Sequence, residues 1–178
     1  MKGNPVDALS ELLEDELKDL YNAEHQLLKA LPRMARNAWS GALKAVLISH
    51  FHETQKQIWR LEEIARELDI KLTVRSCRAV EELLQEGNEN FEANGHGSTG
   101  DAALIVATQR VKQYEIAAYD TARAMAEALE HTRVANLLQQ AFCKEVAVEK
   151  RLTDIADGES LAPALATSGM LEMSVPAM

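Results

Sequence analysis

The chain has 178 residues, of which 47% are hydrophobic and 4% aromatic, with 8 Gly and 4 Pro. These values exclude a turn-rich β protein and favour one helical domain with a sizeable buried core. A formal net charge of -9 argues against nucleic acid and anionic membranes as the main partners.

The first predicted helix runs from about Val6 to Asn37. Its apolar residues recur at alternating steps of three and four, the period of a helix packed lengthwise against other helices. Pro32 is expected to bend this helix or shift its register, because proline removes a backbone hydrogen bond. A single charged residue interrupts the apolar row, which consists of Leu13, Leu17, Leu20, Glu24, Leu27, Leu31 and Met34.

The turn Trp39-Ser40-Gly41 leads into a second predicted helix that ends at about Leu68. Its apolar row turns polar at the centre, where a core is normally most apolar. His50 and Glu53 are three residues apart and therefore share a face. The row consists of Leu43, Val46, His50, Glu53, Gln57, Leu61, Ile64 and Leu68.

A connector at 69–76, a shorter helix at about 78–93 and a glycine-rich loop at 94–100 are predicted to form a crossover. The next long helix is predicted from Asp101, a plausible capping residue, to Leu129, and the last from Thr132 to Ala156. Each again carries one glutamate in its apolar row, Glu115 and Glu145. The pattern predicts an all-α four-helix bundle with a crossover helix over residues 1–157, and a C-terminal tail at 158–178.

The four glutamates are predicted to meet at one height in the core. Glu24 and Glu53 each lie about 15 residues from the midpoint of the first helix pair, roughly 22 Å along the axis, and Glu115 and Glu145 are placed alike in the second. Buried like charges need bound cations or shared protons. One glutamate per helix plus a nearby histidine is the arrangement of di-iron and di-manganese bundles. Glu149, one turn after Glu145, is a further candidate ligand.

Several motifs stand in order over about residues 7–156. They are Asp15-Glu16-Leu-Lys-Asp-Leu-Tyr21-x-Ala-Glu24-x-Gln26-Leu, Ala-Leu-Pro32-x-Met, His50-x-x-Glu53-Thr54-x-x-Gln57, Asp101-Ala-Ala-Leu-Ile, Tyr114-Glu115-Ile-Ala-x-Tyr119, and the segment around Glu145. Together they resemble the YciE/YciF family of ferritin-like stress proteins. The resemblance implies a ferritin-like bundle, usually dimeric, linked to bacterial stress responses. It also implies metal-site positions at Glu24, His50, Glu53, Glu115 and Glu145.

Two lysines depart from the pattern of that family. Lys112 stands where the family usually has an acid, one turn before Glu115, and Lys144 stands where an acid commonly precedes Glu145. Because Lys112 is three residues from Glu115, its ammonium can reach the site and replace one cation. The sequence therefore leaves open a dinuclear centre, a mononuclear centre and a metal-free layer bridged by lysine. The order His50-x-x-Glu53 also reverses the Glu-x-x-His of di-iron bundles.

The leading hypothesis is a cytoplasmic protein that binds one or two iron or manganese ions and reacts with oxygen or peroxide at their open positions. The rivals are a non-enzymatic stress or assembly protein whose carboxylates are held by Lys112, and an iron store, which requires a hollow multimer. The cytoplasmic expectation rests on the lack of a signal peptide and of any apolar run near the length of a membrane span. Cys77 and Cys143 are expected to be reduced, buried thiols.

Overall fold

The protein, here a computed structural model, is described over residues 4–74 and 76–160. These residues contain no strand and form five α-helices: α1 Pro5–Asn37, α2 Gly41–Glu67, α3 Arg78–Asn94, α4 Ser98–Ala128 and α5 Thr132–Ile155. A π-helical turn, Ala156–Ser160, follows α5. The all-α prediction is confirmed and every predicted helix is present. Most of the predicted tail, residues 161–178, lies outside the described residues.

Local signals explain where the first two helices begin. Asn4 accepts a hydrogen bond from the Val6 N–H at 3.3 Å, and Pro5 occupies the first helical position. Ser40 caps α2 by accepting from the N–H groups of Ala42 and Leu43. Helix α1 continues through Pro32, so the proline does not divide it.

The four long helices surround a common core. Helix α1 packs against α2 and α4, and α5 packs against the same two helices. Helix α3 lies outside this group, against α4 and α1, and is the predicted crossover helix. It approaches α4 closely at Gly87, where an added Cβ would collide with the Cβ of Ala107. None of the helices in the described residues is both long and apolar enough to cross a membrane.

The two cysteines differ in exposure. Cys77, just before α3, is buried as predicted, whereas Cys143 is exposed. The prediction for Cys143 was wrong because this residue lies between Ala141 and Glu145, which point into the core, and therefore faces solvent on α5.

Asp101 has a different role from the predicted cap. Helix α4 begins three residues earlier, at Ser98 after Gly97, so Asp101 lies in the first turn of the helix. Its buried carboxylate accepts hydrogen bonds from the backbone N–H groups of Trp39 and Ser40, each at 2.7 Å. Asp101 therefore ties the start of α4 to the turn between α1 and α2.

Replacement of Asp101 by alanine is expected to lower the free energy of unfolding by about 3 kcal/mol, because it removes two hydrogen bonds to a charged group and leaves two N–H groups without an acceptor. Urea denaturation measures the loss. The matched control is Asp120→Ala, an exposed acid of the same helix whose partner is Arg123, where a change below about 1 kcal/mol is expected. Equal losses in the two variants would contradict the role assigned to Asp101.

Candidate metal centre

A layer of polar side chains crosses the core between two clusters of apolar residues. One cluster includes Leu31, Leu47 and Val148, and the other includes Leu17, Leu61 and Leu138. Each long helix contributes polar residues to the layer near its middle. On one side of them the helix belongs to the first apolar cluster, and on the other side it belongs to the second. Polar groups in such a place cost free energy unless each is paired. The buried members are Glu24 of α1, His50, Thr54 and Gln57 of α2, Lys112 and Glu115 of α4, and Glu145 of α5.

Three of these residues form a compact group. His50, Glu115 and Glu145 are buried, come from three different helices, and each offers one ligand atom within 4.8 Å of the other two. Burial, together with the charges of Lys112 and Arg151, lowers the pKa of His50 well below its ordinary value. The ring is therefore neutral, the form in which imidazole binds a metal.

Lys112 lies in the same layer and is completely buried. Its ammonium forms ion pairs with Glu115, at 2.5 Å from Nζ to Oε2, and with Glu145. Burial by itself lowers the pKa of Lys112, but the carboxylates of Glu115, Glu145 and Glu24 outweigh it and raise the pKa above its ordinary value. The predicted contact between Lys112 and Glu115 is thus present, with a positive charge inside the site.

Glu24 borders the group without belonging to it. Its Oε1 accepts a hydrogen bond from the Tyr119 hydroxyl at 2.7 Å, and both side chains are buried. Burial and the neighbouring carboxylates of Glu115 and Glu145 raise the pKa of Glu24 well above its ordinary value. Glu24 therefore tends to hold a proton when no further cation is present.

Glu115 is the carboxyl group of the layer whose pKa lies near neutral pH. Burial raises the pKa of Glu115, Lys112 opposes this rise, and Glu145 adds to it, so that the pKa comes to about 7. The group therefore exchanges a proton near neutral pH. A metal ion entering at this pH would replace that proton.

Several buried polar atoms of the layer lack hydrogen-bond partners, and these atoms indicate whether the layer is suited to bind a metal ion. Both ring nitrogens of His50 are buried without a hydrogen-bond partner among the described residues. Glu24 Oε2 and Glu115 Oε1 are likewise buried and accept no N–H or hydroxyl hydrogen bond in this part of the chain, although a protonated Glu24 can donate to Glu115. Buried groups of this kind are rarely left unpaired in native proteins. Imidazole and carboxylate donors suit iron and manganese, so the residues fit such an ion.

A chain of hydrogen bonds fixes Glu145. The Gln57 amide donates to Glu145 Oε1 at 2.7 Å and to the Ala141 carbonyl at 3.3 Å. Arg60 in turn donates to Oε1 of the Gln57 side chain. Gln57 and Arg60 thus hold one oxygen of Glu145 and direct the other towards Lys112.

The remaining two predicted ligands lie outside the compact group. The Glu53 side chain is 15% exposed and pairs with Lys56 at 3.2 Å. Glu149 is half-buried and accepts a hydrogen bond from the Thr153 hydroxyl at 3.4 Å. Their roles as ligands stay predictions.

On α2 the buried row passes through Thr54 instead of Glu53. A spacing of three and four residues between His50 and Gln57 is compatible with either residue. The sequence favours Glu53 because it is the more polar of the two. Thr54 and Arg60 are not among the site residues predicted from the sequence. The signal for Thr54 was its spacing, four residues after His50 and three before Gln57.

Comparisons with known proteins agree with this architecture. The model of the family described as "Domain of unknown function (DUF892)" matches residues 8–164. Protein YciF of Escherichia coli K12 is 38% identical over 141 residues, which cover 79% of this chain and 85% of YciF.

Solved structures give the same result. The crystal structure of the E. coli stress protein YciF matches with a TM-score of 0.80 at 36% identity, covering 88% of this chain and 96% of the other. YcfI of Rhodopseudomonas palustris, named as a candidate structural protein, matches with a TM-score of 0.80 at 35% identity, over 86% of this chain and 98% of the other. A protein of Xanthomonas campestris pv. campestris, at 17% identity and a TM-score of 0.67, covering 94% of this chain and 99% of the other, shows the fold alone. The chain therefore belongs to the DUF892 family and is a relative of the stress protein YciF.

Proposed function

We propose that this protein is a ferritin-like stress-response protein that binds one iron or manganese ion in its core and handles iron or oxidants there. The proposal rests on the buried group of His50, Glu115 and Glu145, whose ligand atoms lie within 4.8 Å of one another. One imidazole and two carboxylates leave coordination positions open for a small oxygen ligand.

The charges of the layer favour one ion over two. Glu24, Glu115 and Glu145 carry three negative charges when all are ionised, and the Lys112 ammonium supplies one positive charge. One divalent ion then neutralises the layer. A second would leave excess positive charge in a low-dielectric core, which is costly.

A bound iron or manganese ion would supply redox chemistry with oxygen or peroxide. The protein side chains have separate tasks around it. His50 offers a neutral nitrogen, Glu115 releases its proton near neutral pH, and Glu145 is oriented by Gln57. The two apolar clusters on either side of the layer limit the access of water.

The metal content of the purified protein tests the proposal directly. Protein purified without chelator and then loaded anaerobically with Fe(II) or Mn(II) is expected to hold about one ion per chain by elemental analysis. Glu115→Ala is expected to lose the ion, because it removes a ligand from the centre of the group. Peroxide or oxygen consumption by the loaded protein then tests the reaction class.

Glu53→Ala and Glu149→Ala are the comparison variants, since each removes a half-buried glutamate outside the compact group whose role as a ligand is still a prediction. Retention of the ion by both variants and loss in Glu115→Ala support the assigned ligands. Two ions per chain, with loss of one in Glu53→Ala, would support a dinuclear centre. No ion after loading would contradict the proposal.

The second candidate is a non-enzymatic stress or assembly protein. The observation that favours it is the pairing of Lys112 with both Glu115 and Glu145, which neutralises much of the layer without any metal. The description of YcfI as a candidate structural protein points the same way. This candidate predicts that the protein takes up no metal ion and that it stays fully folded after treatment with chelator.

Assembly as a homodimer is also proposed here, on the resemblance to the YciE/YciF proteins. An open groove of about 730 Å³ between α1 and α2 supports it, because its lining is largely apolar and includes the half-buried Phe51. Ile48 at its edge is 47% exposed. Light scattering on the samples used for metal analysis distinguishes a dimer from the hollow multimer that iron storage requires.

A further inference from the structure

Thr54 carries a buried hydroxyl that no part of the proposed metal group uses. Its side chain is 1% exposed, and its Oγ1 has no hydrogen-bond partner among the described residues. A threonine inside a helix commonly satisfies its hydroxyl with the carbonyl four residues earlier. Thr108, on α4, does so by donating to the Leu104 carbonyl at 2.7 Å. Thr54 does not.

The position of Thr54 places this hydroxyl next to the site. Thr54 follows His50 by one turn of α2, so the two side chains share a face with Cβ atoms about 5–6 Å apart. Gln57, on the other side, is engaged with Glu145. The hydroxyl of Thr54 and both nitrogens of His50 are therefore unpaired neighbours in one buried layer.

We propose that Thr54 is the hydrogen-bonding partner of a small oxygen ligand, water or peroxide in size and chemistry, that binds beside His50. A buried polar cavity holds such a molecule when two to four polar partners converge on it. The hydroxyl can both donate and accept, so it accommodates a ligand in either protonation state. This inference rests on the proposed metal site, and it makes Thr54 a positioning residue for the ligand at the open coordination position.

Azide binding to protein loaded with Co(II) tests this role, since azide is a small ligand and Co(II) has visible absorption bands that report its coordination. The expected dissociation constant for azide is about tenfold higher in Thr54→Val than in the natural protein, which corresponds to the loss of one hydrogen bond. Thr54→Ser keeps the hydroxyl and is expected to bind azide like the natural protein. The matched control, Thr108→Val, is expected to leave azide affinity unchanged.

Elemental analysis of the same samples separates this inference from the proposed function. Full Co(II) content with equal azide affinity in Thr54→Val and the natural protein would overturn the role of Thr54 and leave the metal site intact. No Co(II) in the natural protein would overturn both.

A second measurement needs no metal. In the presence of chelator, Thr108→Val is expected to lower the urea midpoint because it breaks a hydrogen bond, whereas Thr54→Val is expected to leave the midpoint unchanged or raise it, because it removes an unpaired hydroxyl. An equal decrease in both variants would show that Thr54 already has a partner within the protein, and would contradict its assignment to a ligand.

Discussion

Replacement of Lys112 by methionine is expected to lower the free energy of unfolding of the metal-free protein by about 3–5 kcal/mol at neutral pH. The ammonium of Lys112 is fully buried and pairs with Glu115 and Glu145, while Glu24 lies close enough to raise its pKa as well. Without the lysine, these carboxyl groups must either repel one another or take up protons. Urea denaturation in the presence of chelator measures the loss.

Divalent metal is expected to restore much of this stability, because the variant has lost one positive charge and its carboxylates can be neutralised by an additional cation. Titration with Mn(II) should therefore raise the urea midpoint of Lys112→Met more than that of the natural protein. Lys144→Met is the matched control. Lys144 is exposed on α5 next to Glu145, so its replacement should change the free energy of unfolding by less than about 0.5 kcal/mol. Similar losses in both variants would contradict a structural charge at Lys112.

The metal-free protein is expected to lose stability as the pH rises from about 4.5 to 7. Glu115 has its pKa raised by burial from 4.5 to about 7. Between these values the folded protein holds a proton that the unfolded chain has released, so the contribution of Glu115 is complete below 4.5 and is lost as the pH rises through 7. A change of this size corresponds to about 3 kcal/mol. The raised pKa of Glu24 acts in the same direction.

The comparison with Glu115→Gln removes this titration, together with the part of the raised pKa of Glu24 that the Glu115 charge causes. The glutamine cannot ionise, so the variant should match the natural protein near pH 4.5 and become relatively more stable towards pH 7 and above. With saturating Mn(II), the natural protein should show the opposite trend, because the ion displaces the proton from Glu115 and binds better as the pH rises. If the free energies of unfolding of the two proteins change with pH by the same amount over this range, that result would be evidence against a buried, titrating Glu115.

The helices could be predicted from the sequence because their signals are local. Steps of three and four between apolar residues, Pro5 at the start of α1 and Ser40 before α2 depend only on neighbouring residues. The predicted start of α4 at Asp101 was wrong because the role of this residue depends on a contact that is distant in the chain. Asp101 is bonded to Trp39 and Ser40, about sixty residues away in the chain, and no local pattern reports such a contact.

The polar layer itself was also visible in the sequence, because a glutamate in the middle of an apolar row is a strong anomaly. Glu24, Glu115 and Glu145 are all buried, and Lys112 reaches Glu115 as its spacing indicates. The choice between Glu53 and Thr54 was not visible. Both lie one turn from His50, and only the rotation of α2 against α5 decides which of them faces the core.

The sequence by itself therefore determined the five helices and the presence of buried charge at mid-core, since each follows from residue type and spacing along one helix. The family was indicated separately, by the resemblance of several ordered motifs. Only the tertiary structure decided which groups meet. His50, Glu115 and Glu145 come within 4.8 Å from three different helices, and the ammonium of Lys112 lies between two of the carboxylates. Helix rotation and axial offset set these distances, and they depend on how whole apolar faces pack together.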